Sequence, residues 1–221
     1  MYTMDHVLYI NLEHRTDRRA HVEQQLHNIG IYNAQRFNAI KMENGAIGCS
    51  MSHLQCLEIA LANDWDHVMI VEDDILFLDA NVFITQFSKC ITGNDFDVLL
   101  LGGNNKPPYI HIDDSCIQVK SCYTTTGYIV KKHYYRALIA NIREGIEKLT
   151  IEPSKPNLYA IDIYWTHLQK EDRWLLVTPL TVIQIDGYSD IDKRMTSYKA
   201  LMTGLEKPIS RKSRTYRMNF L

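Results

Sequence analysis

Three consecutive acidic residues, Glu72, Asp73 and Asp74, carry the clearest chemical signal in the sequence. Apolar runs lie on both sides of them, over Val68–Val71 and Ile75–Phe77. This pattern predicts a buried strand that ends at the carboxylates, because open α/β sheets bind ligands at the carboxyl ends of their strands. Burying an unpaired carboxylate is costly, so the three residues need the sheet edge, cationic partners or a metal ion.

The spacing of these carboxylates suits a divalent cation held by oxygen ligands. Side chains alternate along a strand, so Glu72 and Asp74 are predicted on one side and Asp73 on the other. Carboxylate oxygens are the ligands that Mg²⁺ and Mn²⁺ prefer, and such ions are commonly shared with a diphosphate. A strand end capped by solvated carboxylates is the simpler alternative, and the triplet alone leaves it open.

Length and composition favour one α/β domain spanning residues 1–221. Of the 221 residues 46% are hydrophobic, which is enough to fill a sizeable core. The formal net charge of -2 provides no global basic field, so nucleic acid is not predicted as a partner. Residues 193–221 form a basic C-terminal tail that could hold an anionic acceptor or another subunit of a homo-oligomer, or be a solvated end.

Cysteine usage and the chain ends predict a cytoplasmic protein, in a bacterial or virus-infected cell. The five cysteines form no CxxC pair, show no Cys/His spacing typical of zinc sites, and are odd in number. No basic segment followed by a long apolar run opens the chain, and no stretch approaches the roughly 18 apolar residues of a membrane span. The last residues are not an endoplasmic-reticulum retention signal. We therefore expect no signal peptide and no membrane span.

Strands alternate with helices along the first half of the chain, which predicts a largely parallel sheet with helices on both faces. Gly45–Ser50 is predicted as a loop, after which Ser50 or Ser52 caps a helix that runs to about Ala62. The other predicted strands cover residues 6–12, 36–40, 68–71, 96–101, 116–119, 124–130, 174–177 and 181–185, and the other predicted helices cover 15–30, 82–91 and 132–149.

Several motifs follow one another in a recognisable order. They are Tyr9-Ile10-Asn11-Leu12 with Arg15 and Arg18, Gly48-Cys49-Ser50-Met51-Ser52-His53, Val71-Glu72-Asp73-Asp74, Asp97-Val98-Leu99-Leu100-Leu101-Gly102, Thr126-Gly127-Tyr128, Asp162, and Ser189-Asp190-Ile191. With these motifs the chain resembles glycosyltransferase family 25, from residue 7 to about residue 191. That family holds bacterial lipooligosaccharide galactosyltransferases and collagen hydroxylysine galactosyltransferases.

The resemblance implies a GT-A type, Rossmann-like fold, a UDP-galactose or similar donor, a divalent metal and inversion at the anomeric carbon. It assigns the acidic motif to donor and metal binding. We expect Asp74 and Glu72 to ligate Mn²⁺ or Mg²⁺, with Glu72 or Asp73 reaching the ribose hydroxyls or a metal-bound water. The other residues expected on the donor side are Asn11, Leu12, Arg15, Arg18, Ser52, His53 and Gly102.

Physical arguments support some of these donor-side assignments. Arg15 and Arg18 flank the first strand-to-helix turn, where guanidinium groups and a helix N-terminus favour anions, although Asp17 is an alternative partner on a solvated face. His53 could equally be a core residue, and Gly102 could mark a bulge instead of a close approach of the sugar. One of four residues after the last strand is expected to complete the metal shell: Gln184, Asp186, Ser189 or Asp190.

Asp162 is the candidate catalytic base. An inverting transfer needs a carboxylate that takes the proton of the acceptor hydroxyl. The apolar neighbours Ile161 and Ile163 could raise the pKa of Asp162 toward the working range, and the family's C-terminal aspartate falls at this position. A helix N-terminal charge is the alternative reading of Asp162, and Asp97 is a weaker rival for the base.

The sequence therefore predicts a metal-dependent, inverting hexosyltransferase. Its donor would be UDP-galactose or UDP-glucose, and its acceptor a hydroxyl of a glycan or of hydroxylysine in a collagen-like protein. Alternatives are a nucleotidyltransferase or other sugar-nucleotide enzyme, and a catalytically inactive carbohydrate-binding module of the same fold. A nucleotidyltransferase should carry a glycine-rich phosphate loop after its first strand, and residues 11–15 contain no glycine.

Overall fold

The structure, a computed structural model, describes residues 4–189, 194–196 and 199–205. Its strands are β1 (Val7–Asn11), β2 (Gln35–Asn38), β3 (His67–Glu72), β4 (Ile75–Phe77), β5 (Val98–Leu100), β6 (Asn104–Asn105), β7 (Tyr109–Asp113), β8 (Cys116–Val119), β9 (Cys122–Tyr123), β10 (Gly127–Lys131), β11 (Trp174–Val177), β12 (Val182–Gln184), β13 (Gly187–Ser189) and β14 (Arg194–Thr196). Its helices are α1 (Thr16–Asn28), α2 (Gly45–Ala62), α3 (Ala80–Gly93), α4 (Tyr135–Ile151), α5 (Pro156–Tyr159), α6 (Ile161–Tyr164), α7 (Thr166–Glu171) and α8 (Lys199–Met202), with a 3₁₀ turn over Lys132–Tyr134.

Eight strands form a central sheet in the order β2-β1-β3-β10-β5-β11-β8-β7. Strand β1 pairs in parallel with β2 and β3, and β5 pairs in parallel with β11. Strand β10 is antiparallel to both of its neighbours, and β8 is antiparallel to β11 and β7. Because β10 and β8 are the two strands that reverse, six of the eight strands run in one direction. The predicted mostly parallel α/β sheet is confirmed.

Helices cover both faces of this sheet. Successive side chains of a strand point to opposite faces, and all four central residues of β3 are fully buried. Met69 and Val71 belong to a core that includes residues of α1 and α3. Val68 and Ile70 belong to a second core, which includes residues of α2 and α4. A strand buried on both faces has to be apolar throughout, which explains the continuous run that ends at the acidic triplet.

The start of α2 differs from the sequence prediction, because the segment Gly45–Ser50 is helical and not a loop. Asn44 is the N-cap, and its Oδ1 accepts a hydrogen bond from the backbone amide of Ala46 at 3.1 Å. A Cβ atom at Gly48 would lie 2.5 Å from the carbonyl oxygen of Ile40. Glycine at position 48 therefore allows α2 to pack closely against the preceding segment. This contact between elements explains the glycine, which in the sequence had suggested a loop.

The chain leaves the central sheet directly after the acidic strand. Strand β3 ends at Glu72, Asp73 and Asp74 form a turn, and β4 pairs with β12 in a separate two-stranded sheet. Asp73 and Asp74 therefore lie at the carboxyl edge of the sheet, next to the end of β1. This placement is the one predicted from the apolar flanks.

Other expectations concern the whole chain. Most of the predicted basic tail, residues 193–221, lies outside the described residues. No disulfide joins the five cysteines, all of which lie within the described part. Among the helices described here, none combines the length and apolar character needed to cross a bilayer.

Candidate active site

Glu72, the last residue of β3, accepts hydrogen bonds at both carboxylate oxygens. Its Oε1 accepts from the hydroxyl of Thr125 at 2.8 Å and lies 3.4 Å from Nε2 of His53. Its Oε2 accepts from the side-chain amide of Gln184 at 2.9 Å. Burial acts to raise the pKa of Glu72, but these contacts, led by His53, lower it below its ordinary value. The Glu72 side chain is thus a fixed anion at the edge of the sheet.

Asp73 is held by residues from the first strand and the first helix. Its Oδ1 accepts from Nη1 of Arg18 at 3.0 Å, and its Oδ2 accepts from Nδ2 of Asn11 at 2.7 Å. Nε of Arg36 donates to Oδ1 of Asn11 at 3.0 Å, which turns the amide so that its NH₂ group faces Asp73. Three of the predicted donor-side residues therefore lie together, and Arg36 is a supporting residue that sequence reasoning missed.

Asp74 differs from its neighbours because one of its buried oxygens is unsatisfied. Oδ2 accepts from Nη1 of Arg18 at 3.2 Å, whereas Oδ1 has no hydrogen-bond partner among the described residues. Burial, together with the charge of Glu72, raises the pKa of Asp74 to about 8. Asp73 and Asp74 share Arg18 because they form a turn, so the alternation predicted for a strand does not extend beyond Glu72.

Asp162 lies in the first turn of a short helix, α6, and its pKa responds to the charge of Glu72. Its Oδ2 accepts from the backbone amide of Thr124 at 3.1 Å. Thr124 has φ 77, in the left-handed region that β-branched residues rarely adopt, and the adjacent Thr125 donates to Glu72. Burial raises the pKa of Asp162, and the charge of Glu72 adds to this effect. The segment Thr124–Thr125 thus links the two carboxylates.

The two arginines at the first strand-to-helix turn, Arg15 and Arg18, contact different carboxylates. Arg18 reaches the acidic turn, as described above. Nη2 of Arg15 lies 3.0 Å from Oδ2 of Asp17, the partner named as its alternative. The carbonyl oxygen of Leu12 accepts from the amide of Arg15 at 2.9 Å and closes the turn.

Ser52 and Gly102 make contacts that explain them without a ligand. The hydroxyl of Ser52 donates to the carbonyl oxygen of Gly48 at 2.8 Å and accepts from the amide of Ile40 at 2.9 Å. Ser52 is therefore inside α2 and does not cap it. At Gly102, a Cβ atom would lie 2.5 Å from the carbonyl oxygen of Val182, so β12 fills the space expected for the sugar.

The four residues expected to complete the metal shell are separated by the structure. Gln184 contacts the acidic cluster through Glu72. Asp186 is exposed, and Ser189 is the last residue of β13. Asp190 lies outside the described residues. The rival base Asp97 lies before β5, at the opposite edge of the sheet from Glu72.

Cys49 and His53 bring a sulfur and a nitrogen atom to Glu72, a combination that sequence analysis missed. Sγ of Cys49 lies 3.8 Å from Oε1 of Glu72, the same oxygen that His53 approaches. The two residues are four apart in α2 and therefore share one face of the helix. The four-residue spacing was visible in the sequence. It places two side chains on one face only in a helix, and residues 45–50 were predicted as a loop. The sequence shows no Cys/His spacing typical of zinc sites, but the fold brings Cys49, His53 and Glu72 close enough together to hold a metal ion.

Comparison with known proteins identifies the family. The family model described as glycosyltransferase family 25 (LPS biosynthesis protein) matches residues 41–154, just over half of the chain. The chain belongs to glycosyltransferase family 25. A relative from Drosophila pseudoobscura pseudoobscura, described as a glycosyltransferase 25 family member, is 25% identical over an alignment of 181 positions that covers 66% of this chain. The match covers 28% of the relative, so the chain spans little more than a quarter of its length.

Similar solved structures are more distant. Mannose-1-phosphate geranyltransferase from Thermus thermophilus gives a TM-score of 0.49 at 11% identity, over 78% of this chain and 73% of that one. A mutant of Drosophila galactosyltransferase 7, in complex with manganese, UDP-Gal and xylobiose, gives 0.46 at 11% identity, over 97% and 82%. These similarities are too low to support an argument about activity.

Membership of family 25 agrees with the architecture described above. A mixed, mostly parallel sheet with helices on both faces is the GT-A type, Rossmann-like fold that the motifs implied. The family is one of glycosyltransferases, which is the enzyme class predicted from the sequence.

Proposed function

We propose that the chain is a metal-dependent, inverting hexosyltransferase that moves galactose or glucose from a UDP-sugar to a hydroxyl acceptor. Family membership supports glycosyl transfer as the reaction class. The observation that carries the proposal is the convergence of Glu72, Asp74 and Asp162 at one edge of the sheet, where Thr124 and Thr125 tie the base to the acidic cluster. A carboxylate cluster and a separate base are the two parts that the reaction needs.

The acidic cluster fits a divalent cation held by oxygen ligands. Asp74 supplies a buried oxygen that has no partner in the described part of the chain, and the negative charge of Glu72 acts on it. Mg²⁺ and Mn²⁺ prefer such oxygen ligands. When bound, an ion of this kind supplies Lewis-acid stabilisation to the departing diphosphate. Asp74 and Glu72 would hold the ion, and Gln184 would orient Glu72.

Asp73 and Arg18 serve the donor through their fixed positions. Asp73 is 8% exposed and is held at both oxygens, so little conformational entropy is lost when it accepts hydrogen bonds from ribose hydroxyls. The guanidinium group of Arg18 reduces the electrostatic repulsion between the carboxylates of Asp73 and Asp74. It would also lie beside the site that a diphosphate would occupy.

Asp162 takes the proton of the acceptor hydroxyl. The amide of Thr124 holds Oδ2, so Oδ1 is the oxygen that receives the proton. The acceptor oxygen forms a bond to the anomeric carbon while the bond from that carbon to the diphosphate oxygen breaks, which inverts the configuration. The raised pKa of Asp162 makes it a better proton acceptor near neutral pH than an ordinary aspartate. A hydroxyl of a sugar or of hydroxylysine fits this chemistry.

The test measures hydrolysis and binding of UDP-galactose, UDP-glucose and UDP-N-acetylglucosamine, with and without Mn²⁺. We expect Mn²⁺ to stimulate turnover of the first two donors and calorimetry to detect Mn²⁺-assisted donor binding. Folded protein that binds none of these donors in Mn²⁺ would contradict the proposal. Donor binding without hydrolysis, or without transfer to any sugar or hydroxylysine acceptor, would instead indicate a carbohydrate-binding module.

A further inference from the structure

We propose that Cys49, His53 and Glu72 form a second metal site, for a thiophilic divalent cation such as Zn²⁺. The three ligand atoms are Sγ, Nε2 and Oε1, and all lie within 4.8 Å of one another. A sulfur, an imidazole nitrogen and a carboxylate oxygen are a ligand set typical of zinc and unlike the oxygen-only set preferred by Mg²⁺. This site lies beside the predicted oxygen site at Asp74 and shares Glu72 with it.

Two of the three separations between the ligand atoms are close to those expected around a tetrahedral zinc ion, and the third is at most 4.8 Å. Zinc bonds of about 2.3 Å to sulfur and about 2.0–2.2 Å to nitrogen and oxygen place neighbouring ligand atoms roughly 3.4–3.6 Å apart. The measured separations from Oε1 of Glu72 are 3.4 Å to Nε2 of His53 and 3.8 Å to Sγ of Cys49. Binding would require movements of only a few tenths of an ångström at these two contacts.

The ligands are held by rigid elements. Cys49 and His53 lie one turn apart in α2, which packs on the segment around Ile40 through Gly48. His53 is fully buried, and Glu72 is the last residue of a central strand. A site on packed helices and strands keeps its geometry more reliably than one on loops.

Outer contacts around the cluster resemble those that orient zinc ligands. The second ring nitrogen of His53, Nδ1, lies 2.9 Å from the hydroxyl of Tyr128. Metal-binding histidines usually engage an oxygen in this way, which fixes the tautomer. Thr125 and Gln184 each donate a hydrogen bond to one carboxylate oxygen of Glu72, and these bonds orient its side chain.

Metal binding at this site has a simple proton balance. The thiol of Cys49 faces Oε1 of Glu72, and Zn²⁺ would replace the thiol proton, which leaves to solvent. A zinc-bound His53 would carry its proton on Nδ1, toward the hydroxyl oxygen of Tyr128, and would offer the Nε2 lone pair to the metal. One proton is released per ion bound, and a fourth position stays open for water.

Occupation of the site also has a consequence that rests on the proposed function. Zn²⁺ would take Oε1 of Glu72, which now accepts from Thr125, and would hold Glu72 away from the metal at Asp74. We therefore expect Zn²⁺ to inhibit Mn²⁺-dependent turnover. Zinc binding itself does not depend on that turnover.

The test uses Co²⁺ as a spectroscopic substitute for Zn²⁺ with the full, metal-free chain. We expect a thiolate-to-cobalt charge-transfer band that Zn²⁺ abolishes on displacement. The band should be absent in Cys49→Ser and retained in Cys56→Ser, a matched control because Cys56 is a buried cysteine of the same helix. Asp74→Asn should retain the band, which separates this site from the oxygen site.

Two further measurements keep the proposal falsifiable if Cys49→Ser does not fold. Tyr128→Phe removes the outer contact to His53 and should weaken Zn²⁺ binding about tenfold. In the unmodified chain, Zn²⁺ should slow alkylation of Cys49, followed by mass spectrometry, and leave the other four cysteines unchanged. No cobalt–thiolate band in the folded parent chain, or a band that survives Cys49→Ser, would overturn the proposal. An intact cobalt–thiolate band in a parent chain that shows no UDP-sugar turnover in Mn²⁺ alone would contradict only the proposed function.

Discussion

Carboxylates gather at both edges of the central sheet, and those at the amino ends of β5 and β11 are satisfied by protein groups. Asp97 accepts from the backbone amide of Arg173 at 2.8 Å and lies 2.7 Å from Nε2 of His133. Asp172 accepts from the hydroxyl of Tyr134 at 2.5 Å. These contacts join the start of two strands to the segment before α4, so the amino edge uses its charges to fasten elements together.

The carboxyl edge of β3 keeps charges that the protein satisfies less completely. Asp74 has a buried oxygen without a partner in the described residues, and burial raises the pKa values of both Asp74 and Asp162. Such an arrangement costs stability, and it persists where a ligand can compensate for it. This difference sets Asp74 and Asp162, which are proposed to act in the reaction, apart from Asp97 and Asp172 more clearly than residue type does.

The largest expected effect is on the transfer rate, when one aspartate on each edge of the sheet is replaced by asparagine. Asp162→Asn removes the proposed base and should lower the transfer rate by about 10²–10⁴-fold, with UDP-donor affinity unchanged. Asp97→Asn serves as the control, because it makes the same chemical change at a carboxylate on the opposite edge. Initial rates and donor calorimetry on both variants provide the measurement. Equal rates for Asp162→Asn and the parent chain would remove Asp162 as the base.

Arginines on the two edges should differ in their effect on stability. Arg18→Ala leaves Asp73 and Asp74 without their shared cation in a buried turn, and we expect it to lower the free energy of unfolding by about 3 kcal/mol. Arg173→Ala removes an exposed pair with Asp95 and should cost less than about 1 kcal/mol. Urea denaturation in metal-free buffer measures both. If both variants lost a similar amount of unfolding free energy, groups other than Arg18 would have to stabilise the carboxylates of Asp73 and Asp74.

Asp74→Asn should separate binding from stability. The variant is expected to lose Mn²⁺-assisted donor binding, measured by calorimetry, because the proposed ligand oxygen is gone. In chelator it should unfold at a higher temperature than the parent, since burying an unpaired carboxylate oxygen costs about 1–3 kcal/mol or more. A full response to Mn²⁺ would exclude Asp74 as a ligand, and a lower melting temperature would indicate a partner for Oδ1.

Seven of the eight strands of the central sheet were predicted, because their signals are local, whereas no strand was predicted over β7. The apolar run before Glu72 and the alternation of α/β elements depend on neighbouring residues alone. The start of α2 was not predictable in this way, because Gly48 is explained by the carbonyl of Ile40, a contact between elements. Taking this glycine as a loop signal also concealed the pairing of Cys49 with His53 on one helix face.

The acidic triplet could be recognised in the sequence, but the different states of its members could not. Asp73 and Asp74 are adjacent and chemically identical. Asp73 is satisfied by Asn11 and Arg18, which lie 62 and 55 residues away along the chain. Only the packing of β1 and α1 against β3 decides which oxygen remains without a partner.

The smallest expected effect concerns Asp113, a satisfied carboxylate at the last residue of β7, next to the turn that leads to β8. Its Oδ1 accepts from the amide of Ser115 at 2.7 Å, and its Oδ2 accepts from Asn94 at 2.8 Å. The hydrogen bonds from Ser115, followed by that from Asn94, lower the pKa of Asp113 to about 2. The pKa in the unfolded chain is about 3.9, so the folded state favours the ionised form.

This lowered pKa predicts acid sensitivity of a definite sign. The stabilisation by Asp113 is fully present above about pH 4 and is lost as the pH falls toward about 2. Asp113→Asn should flatten this part of the pH dependence of the melting temperature and, because the group is largely exposed, cost no more than about 1 kcal/mol at neutral pH. Parallel pH profiles for the variant and the parent would mean that the turn contacts contribute nothing to stability. In that case satisfied hydrogen bonds alone would not distinguish a structural carboxylate, and the contrast between the two edges would rest on burial.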